Sequence, residues 1–401
     1  MNHHLPKPAL LAALRRLAGE EDVSETEARS LALSILTDTR LDPTELLALG
    51  ALPRERHYGR RVQLHILNNV RNGHCPEDCG YCAQRKVGRS DAEDAENSDA
   101  GQSIASYPAK SEEEILEEAR VAYESGAFRY CMVTAGRGPN ERSIERFADL
   151  IRKIKAKYPL QICLSAGLVT RPEFAQKLAE AGLDRYNHNL NTSEKHYGEI
   201  CSTHDYQDRM RTLDTVTGAG ISLCSGVIAG MGESAQDLVD VAFDLRKRSV
   251  PSIPVNFFIP VPGHALKNVT PMTADYGLRI LTMFRLINPT AEIRLAAGRE
   301  IHFGERQGEA LQVASSMFVS GYLNVRGSDA EATVRMIYDA GYTVDAQNSD
   351  FPARLRELLD AAAPVGAMRD ASTPAEASAT PGDVAQRVVM KGEADLRPFR
   401  T

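Results

Sequence analysis

From about residue 59 the chain alternates eight times between a short apolar run and an amphipathic stretch, and no other feature limits its fold as strongly. The runs are "VQLHILNNV" (62–70), "FRYCMVTAG" (128–136), "QICLSAG" (161–167), "DRYNHNL" (184–190), "ISLCSGVIAG" (221–230), "IPVNFFIPV" (253–261), "EIRLAAG" (292–298) and "SSMFVSG" (315–321). Between them lie helical patterns such as "SEEEILEEARVAYES" and "SIERFADLIRKIKAKY". Strands and helices in strict alternation build a parallel sheet, and eight such units predict an α/β fold of the TIM type, a (β/α)8 barrel. In such a barrel, catalytic groups gather at the C-terminal ends of the strands.

This reading places the barrel at 59–345, behind an N-terminal helical extension at 1–58. A C-terminal helix and flexible tail follow at 346–401. The extension carries three helical patterns, with capping signals at Ser24-Glu25-Thr26-Glu27 and at Asp42-Pro43. Two segments break the rhythm: an acidic, small-residue insertion at 88–103, and a Pro/Ala/Ser/Thr stretch at 364–386 expected to be disordered. Net charge is −7 and the basic residues are scattered, which argues against nucleic acid. With no signal-peptide pattern and no 18-residue apolar run, the expected setting is cytoplasmic, without a membrane. Seven cysteines, an odd count, then point to metal or catalytic chemistry rather than disulfides.

Three of the cysteines, Cys75, Cys79 and Cys82, follow the first run in "NGHCPEDCGYCAQ". An iron–sulfur cubane held by protein alone takes four thiolates, so three leave one iron open. An open position is how a metal centre takes up a substrate or cofactor. The alternative is a structural zinc completed by His74 or a distant cysteine. The C-x3-C-x2-C spacing with Tyr81 before its last cysteine resembles the radical S-adenosylmethionine enzymes, and "GHCPEDCGYCAQ" resembles the biotin synthase family in particular. The resemblance implies a [4Fe-4S] cluster on Cys75, Cys79 and Cys82. Its open iron would bind S-adenosylmethionine, whose reductive cleavage releases a 5′-deoxyadenosyl radical.

Cys131, Cys163 and Cys224 lie on the second, third and fifth runs, and Arg294 on the seventh. A single cysteine in an apolar run is ordinarily a small buried hydrophobe. An arginine inside a barrel strand is different, because an unpaired guanidinium there is very costly to desolvate and needs an anionic or electron-rich partner. Three thiolates converging with it would suit a second, smaller iron–sulfur cluster. The biotin synthase family is similar here too, holding a [2Fe-2S] cluster by three cysteines and one arginine. "YCMVTAGRGP", "ICLSAG", "CSGVIAGMGE" and "IRLAAGRE" match its strands. Cys201, in a connection the family motif does not use, reads as incidental.

Strand alternation in "DRYNHNLNTS" predicts Asn187, Asn189 and Asn191 on one face and a structural His188 on the other. Amides both donate and accept, which suits a urea or a ribose diol. The resemblance implies substrate contacts at Asn187, at Asn189 near the ureido ring of dethiobiotin, and at Asn256, which is otherwise a satisfied barrel amide. It places Tyr81, Asn191 and the loop residues Gly226, Ile228, Gly230 and Glu233 beside S-adenosylmethionine. Two departures stand out. Asn191 occupies a position where the family usually has Asp, and Asn324-Val325 replace two threonines near the substrate carboxylate, leaving Asn324 and Arg326 to meet it.

The implied reaction is sulfur insertion converting dethiobiotin to biotin, with sulfur drawn from the [2Fe-2S] cluster. The implied partners are a flavodoxin or ferredoxin electron donor, iron–sulfur assembly proteins and a second copy in a homodimer. Two alternatives stay open: another radical enzyme of this superfamily acting on a different substrate, and a non-catalytic iron–sulfur carrier or sensor.

Overall fold

The computed structural model describes residues 5–85, 104–261, 264–266, 269, 272–319, 321–351 and 388–400. The insertion at 88–103 and the stretch at 364–386 lie outside the described residues. Helices α1 (Lys7–Ala18), α2 (Glu25–Thr37) and α3 (Pro43–Tyr58) form the extension. Ser24 accepts from the Glu27 amide, and Asp42 and Glu45 cap α3 reciprocally. Their apolar stripes, among them Leu14, Leu31, Ile35 and Leu46, are buried.

The sheet contains β1 (Arg61–Arg71), β2 (Arg129–Thr134), β3 (Gln161–Ser165), β4 (Arg185–Asn187), β5 (Ser222–Cys224), β6 (Val227–Ala229), β7 (Ser252–Phe257), β8 (Glu292–Leu295) and β9 (Ser316–Phe318). All pair in parallel in the order β5-β4-β3-β2-β1-β9-β8-β7-β6. The two ends of that path are halves of one run. β5 pairs with β4 and β6 with β7, so the fifth run bends between its neighbours and closes a ring of eight strand positions. Gly226 sits at the bend because a Cβ there would lie 1.9 Å from the Pro254 carbonyl oxygen. The Ser225 amide donates to the Ser252 carbonyl at 3.0 Å, stitching the closure.

Helices α4 (Glu112–Glu124), α5 (Glu141–Lys157), α6 (Pro172–Glu180), α7 (Tyr206–Gly218), α8 (Ala235–Lys247) and α9 (Ala274–Ile287) cross between strands. Reciprocal caps start α4, α5, α7 and α8, at Ser111, Asn140, Asp205 and Ser234. Each helix turns an apolar stripe to the sheet; α5 buries Ile144, Phe147, Ile151 and Ile154, each stabilising by about 1.5–3 kcal/mol. Short helices α10 (Arg299–Phe303) and α11 (Gln307–Ala310), then α12 (Ala330–Asp339), follow β8 and β9. β10 (Thr343–Asp345) pairs with the start of β1 outside the ring. A last short helix, α13 (Glu393–Leu396), lies within the C-terminal residues 388–400. The strand ends thus present the cysteine loop after β1 and the turns after β4, β6, β7 and β9 to one another.

Candidate active site

The cysteine loop is folded on itself and pinned from outside. The Cys75 amide donates to the Gln84 carbonyl at 2.9 Å and the Cys82 amide to that of Cys79 at 3.0 Å, while Gly80 donates to Ile200 at 2.8 Å. Asp78 accepts from the Ser202 and Thr203 amides at 3.0 and 3.2 Å. Burial raises the Cys75 and Cys82 thiol pKa values, that of Cys82 to about 11. Cys75, Cys79 and Cys82 all line a cavity of about 280 Å³.

Cys201, read from its sequence context as incidental, lies against the cysteine loop. The connection after β4 folds back beneath the loop and brings its Sγ within 3.7 Å of Cys79 Sγ and 3.3 Å of His204 Nδ1. Within this coupled pair, the contact with Cys79 pulls the Cys201 pKa down, aided by His204 and Thr203. His204 is paired in turn with Glu77 at 2.6 Å.

On the barrel floor the other thiols converge. Cys131 and Cys163 face each other across β2 and β3, and Cys224 ends β5; all three are buried in one cluster with Phe318. Arg294, 1% exposed, points Nη1 at Cys224 Sγ at 3.5 Å and Nη2 at Ser252 and Glu292, both at 2.7 Å. Glu292 is the anionic partner a buried arginine requires, two residues back on the same strand face. Its Oε2 also lies 2.9 Å from Arg129, and His65 Nε2 lies 3.1 Å from Oε1. His65 is fully buried, which drives its pKa well down and leaves it neutral. Two guanidiniums against one carboxylate leave a surplus positive charge facing the thiols. Among the described residues Arg294 Nε has no hydrogen-bond partner, although buried.

A smaller cavity, about 30 Å³, lies against Cys131, Cys163 and Arg294. Val133, Ser165, Asn187, Asn189 and Tyr322 line both cavities, so one set of side chains separates the loop thiols from the strand thiols.

The alternation expected for residues 187–191 does not hold. β4 stops at Asn187, because the chain must turn toward the bent fifth run, and Asn191 adopts a left-handed φ of 70°. Asparagine tolerates that region better than most residues. His188 therefore lines the larger cavity together with Asn187, Asn189 and Asn191. Asn191 reaches the Tyr81 hydroxyl at 2.6 Å and is bonded through its backbone to Gly226 and Ile228. Ile228 and Asn256 also line the cavity, and the Asn256 amide spans Val227 O at 3.0 Å and Ala297 N at 3.2 Å. Gly230 and Glu233 stand behind the wall, the Glu233 carboxylate accepting from the Gly230 and Met231 amides at 2.7 Å. Asn324 lines the cavity with its amide paired to Asn72 at 2.5 and 3.2 Å. Arg326 is turned away, onto Asp395 at 2.7 Å.

Arg209 is not singled out by any sequence motif. It is buried at the cavity wall, donating to Tyr81 Oη at 3.2 Å, Asn189 O at 2.8 Å and Tyr197. Its position between Tyr206 and Leu213 on the buried stripe of α7 was the available signal.

Residues 70–245 match the Radical SAM superfamily and residues 254–343 the Biotin and Thiamin Synthesis associated domain. The Biotin synthase of Leptospira interrogans is 55% identical over 297 residues, 74% of this chain and 81% of that protein. The Biotin synthase of Acaryochloris marina is 48% identical over 325 residues, 81% of this chain and 90% of its own. The chain belongs to the biotin synthase family. Membership makes it an enzyme of the radical S-adenosylmethionine type, and implies an iron–sulfur cluster and S-adenosylmethionine. The fold is shared more widely. The FeFe-hydrogenase maturase of Carboxydothermus hydrogenoformans superposes with a TM-score of 0.69 at 18% identity, covering 87% of this chain and 82% of that one. Methylornithine synthase gives 0.66 at 17%, covering 85% and 99%. No helix among the described residues is long and apolar enough to cross a membrane.

Proposed function

We propose that this chain converts dethiobiotin to biotin by inserting sulfur between two unactivated carbons, with residues 59–345 as the catalytic unit. The reading rests on one observation: loop thiols and strand thiols open onto two cavities that share a wall. Cys75, Cys79 and Cys82 would hold a [4Fe-4S] cluster, three thiolates leaving an iron for S-adenosylmethionine. Cys131, Cys163, Cys224 and Arg294 would hold a [2Fe-2S] cluster. The unpartnered Nε of Arg294, the three neighbouring thiols and the surplus positive charge below them fit such an anionic group. When bound, these groups supply a carbon-centred radical and the sulfur.

The chain's own side chains do the rest. Asn187 and Asn189 stand between the two thiol sets, where amide donors and acceptors orient a ureido ring. Tyr81, Asn191 and Arg209 form one hydrogen-bonded unit at the loop side, suited to the polar parts of S-adenosylmethionine. Val133, Leu168, Phe257 and Phe258 on the cavity wall exclude water, which keeps a reactive radical from side reactions. The same reading expects a flavodoxin or ferredoxin donor, iron–sulfur assembly proteins to rebuild the smaller cluster, a homodimer and a cytoplasmic setting.

The test is an anaerobic single-turnover assay on reconstituted protein with S-adenosylmethionine, reductant and dethiobiotin, following biotin by mass. Biotin is the expected product. 5′-Deoxyadenosine without biotin or a mercapto intermediate would assign a different substrate. Neither product, with both clusters present and reducible, would favour a non-catalytic protein.

A further inference from the structure

The C-terminal segment returns to the barrel end that carries the site. Residues 388–400 pair with the loop after β9: Arg326 N donates to Val389 O at 2.8 Å and Lys391 N to Asn324 O at 2.7 Å, with Val325 opposite Met390. Side chains lock the pairing. Arg397 grips Glu114 through two nitrogens at 2.8 and 2.9 Å, both side chains largely buried, and lies over the Tyr107 ring at 5.4 Å. A forked guanidinium on a carboxylate fixes geometry as well as charge. Tyr107 in turn bonds Asn72 through its backbone and Asn69 through its hydroxyl, at the root of the cysteine loop. Asp395 holds Arg326.

The clamped loop is a cavity wall. Leu323, Asn324 and Val325 line the larger cavity and not the smaller one, so the wall they form lies outside the pocket at Cys131 and Cys163. Leu323 has φ 45°, a left-handed conformation that a branched side chain adopts only where its surroundings over-determine it. The pairing of Asn324 and Arg326 with the C-terminal segment supplies that determination on one side.

We propose that residues 388–400 are a strap that fixes this outer wall and thereby sets which chain end of the substrate is accepted, with Arg397 as its main positioning residue. The proposal rests on the dethiobiotin reading, in which the part of the substrate far from the reacting carbons is an aliphatic chain ending in a carboxylate.

Three proteins test it: a chain ending at residue 387, and full chains carrying Arg397→Ala or Arg397→Lys. Hydrogen exchange at the Arg326 amide reports the strap without turnover. It is expected to be slow in the full chain and to become fast in the truncated chain and in Arg397→Ala, with partial rescue by Lys, which keeps a charge on Glu114. Steady-state kinetics on dethiobiotin and its methyl ester report specificity. The KM for the acid should rise about tenfold and that for the ester less, with iron content, kcat and the KM for S-adenosylmethionine unchanged. A parallel loss for acid and ester, loss of iron, or an unchanged KM would overturn the specificity role. Exchange that stays slow in the truncated chain and in Arg397→Ala, beside a wild type that makes biotin, would overturn the strap and leave the substrate reading standing. If wild type makes no biotin, fast exchange on truncation still supports the strap while the substrate reading fails.

Discussion

Glu292→Gln tests whether the barrel floor is held by charge compensation. The carboxylate is 3% exposed, and Arg129 and Arg294 beside it are 0% and 1% exposed. Its Oε1 accepts from Arg294 Nη2 and Ser316 Oγ, both at 2.7 Å, and its Oε2 lies 2.9 Å from Arg129 Nη1. Glutamine keeps the shape, removes the charge and turns an NH2 toward guanidinium donors, leaving two buried cations without an anion. Removing one partner of a buried ion pair costs about 3–5 kcal/mol. For a chain of this size that is a fall in Tm of roughly 4–8 °C. Calorimetry should be run anaerobically on apo and reconstituted protein. The full loss is expected in the apo form and a smaller one once an anionic group occupies the strand thiols. Burial alone would raise the Glu292 pKa, but Arg129 and Arg294, with a hydrogen bond from His65, outweigh it and hold it well below the ordinary value. A depressed carboxylate stabilises the fold above its unfolded pKa, and that stabilisation is lost as pH falls through the folded pKa. The gap between wild type and variant should therefore hold above about pH 4.3 and narrow below it. A loss under about 1 kcal/mol, the scale of ordinary surface changes, would refute the compensation. An equal loss in both forms would refute an anionic group at the strand thiols.

Cys79→Ala should lower iron from about six to about two per chain while the smaller cluster's spectrum persists; disappearance of both signals would mean one shared site. Arg294→Met should shift the remaining spectrum, and an unaltered spectrum would reduce the arginine to a counterion. Asn256→Ala strands Val227 O and Ala297 N, so denaturant unfolding should show a loss of about 1–3 kcal/mol besides a raised KM for dethiobiotin. At Asp78, burial is outweighed by hydrogen bonds from Ser202, Cys201 and Thr203, which depress its pKa. The docking of the cysteine loop should persist as pH falls to about 4 and weaken only below that, read from exchange at the Ser202 and Thr203 amides. Asp78→Ala, which removes the shared acceptor Oδ1, should expose those amides at neutral pH, and protected amides there would show that the carboxylate is dispensable.

Much of this protein was legible because the relevant information is local. The alternation of apolar runs and amphipathic stretches depends on neighbours within one or two turns, so the eight strand positions and their helices could be read directly. The same holds for the spacing of Cys75, Cys79 and Cys82. Burial logic reached part of the way: an arginine on an interior strand face required an electron-rich partner, which the sequence pointed to among the strand thiols, whereas the ion-pair partner in the fold is Glu292, two residues back on that face. What the sequence could not show depends on closing the ring. Where β4 ends, and hence that His188 shares a wall with the asparagines, follows from the bend of the fifth run at Gly226. Cys201 lies 122 residues from Cys79, and only the folding of one connection beneath another brings their sulfurs to 3.7 Å. The C-terminal residues carry no periodic signal, yet pair with the cavity loop through Arg326 N on Val389 O and Lys391 N on Asn324 O. Periodicity is written in adjacent residues, whereas these contacts join segments far apart in the chain, and their geometry exists only once the barrel has closed.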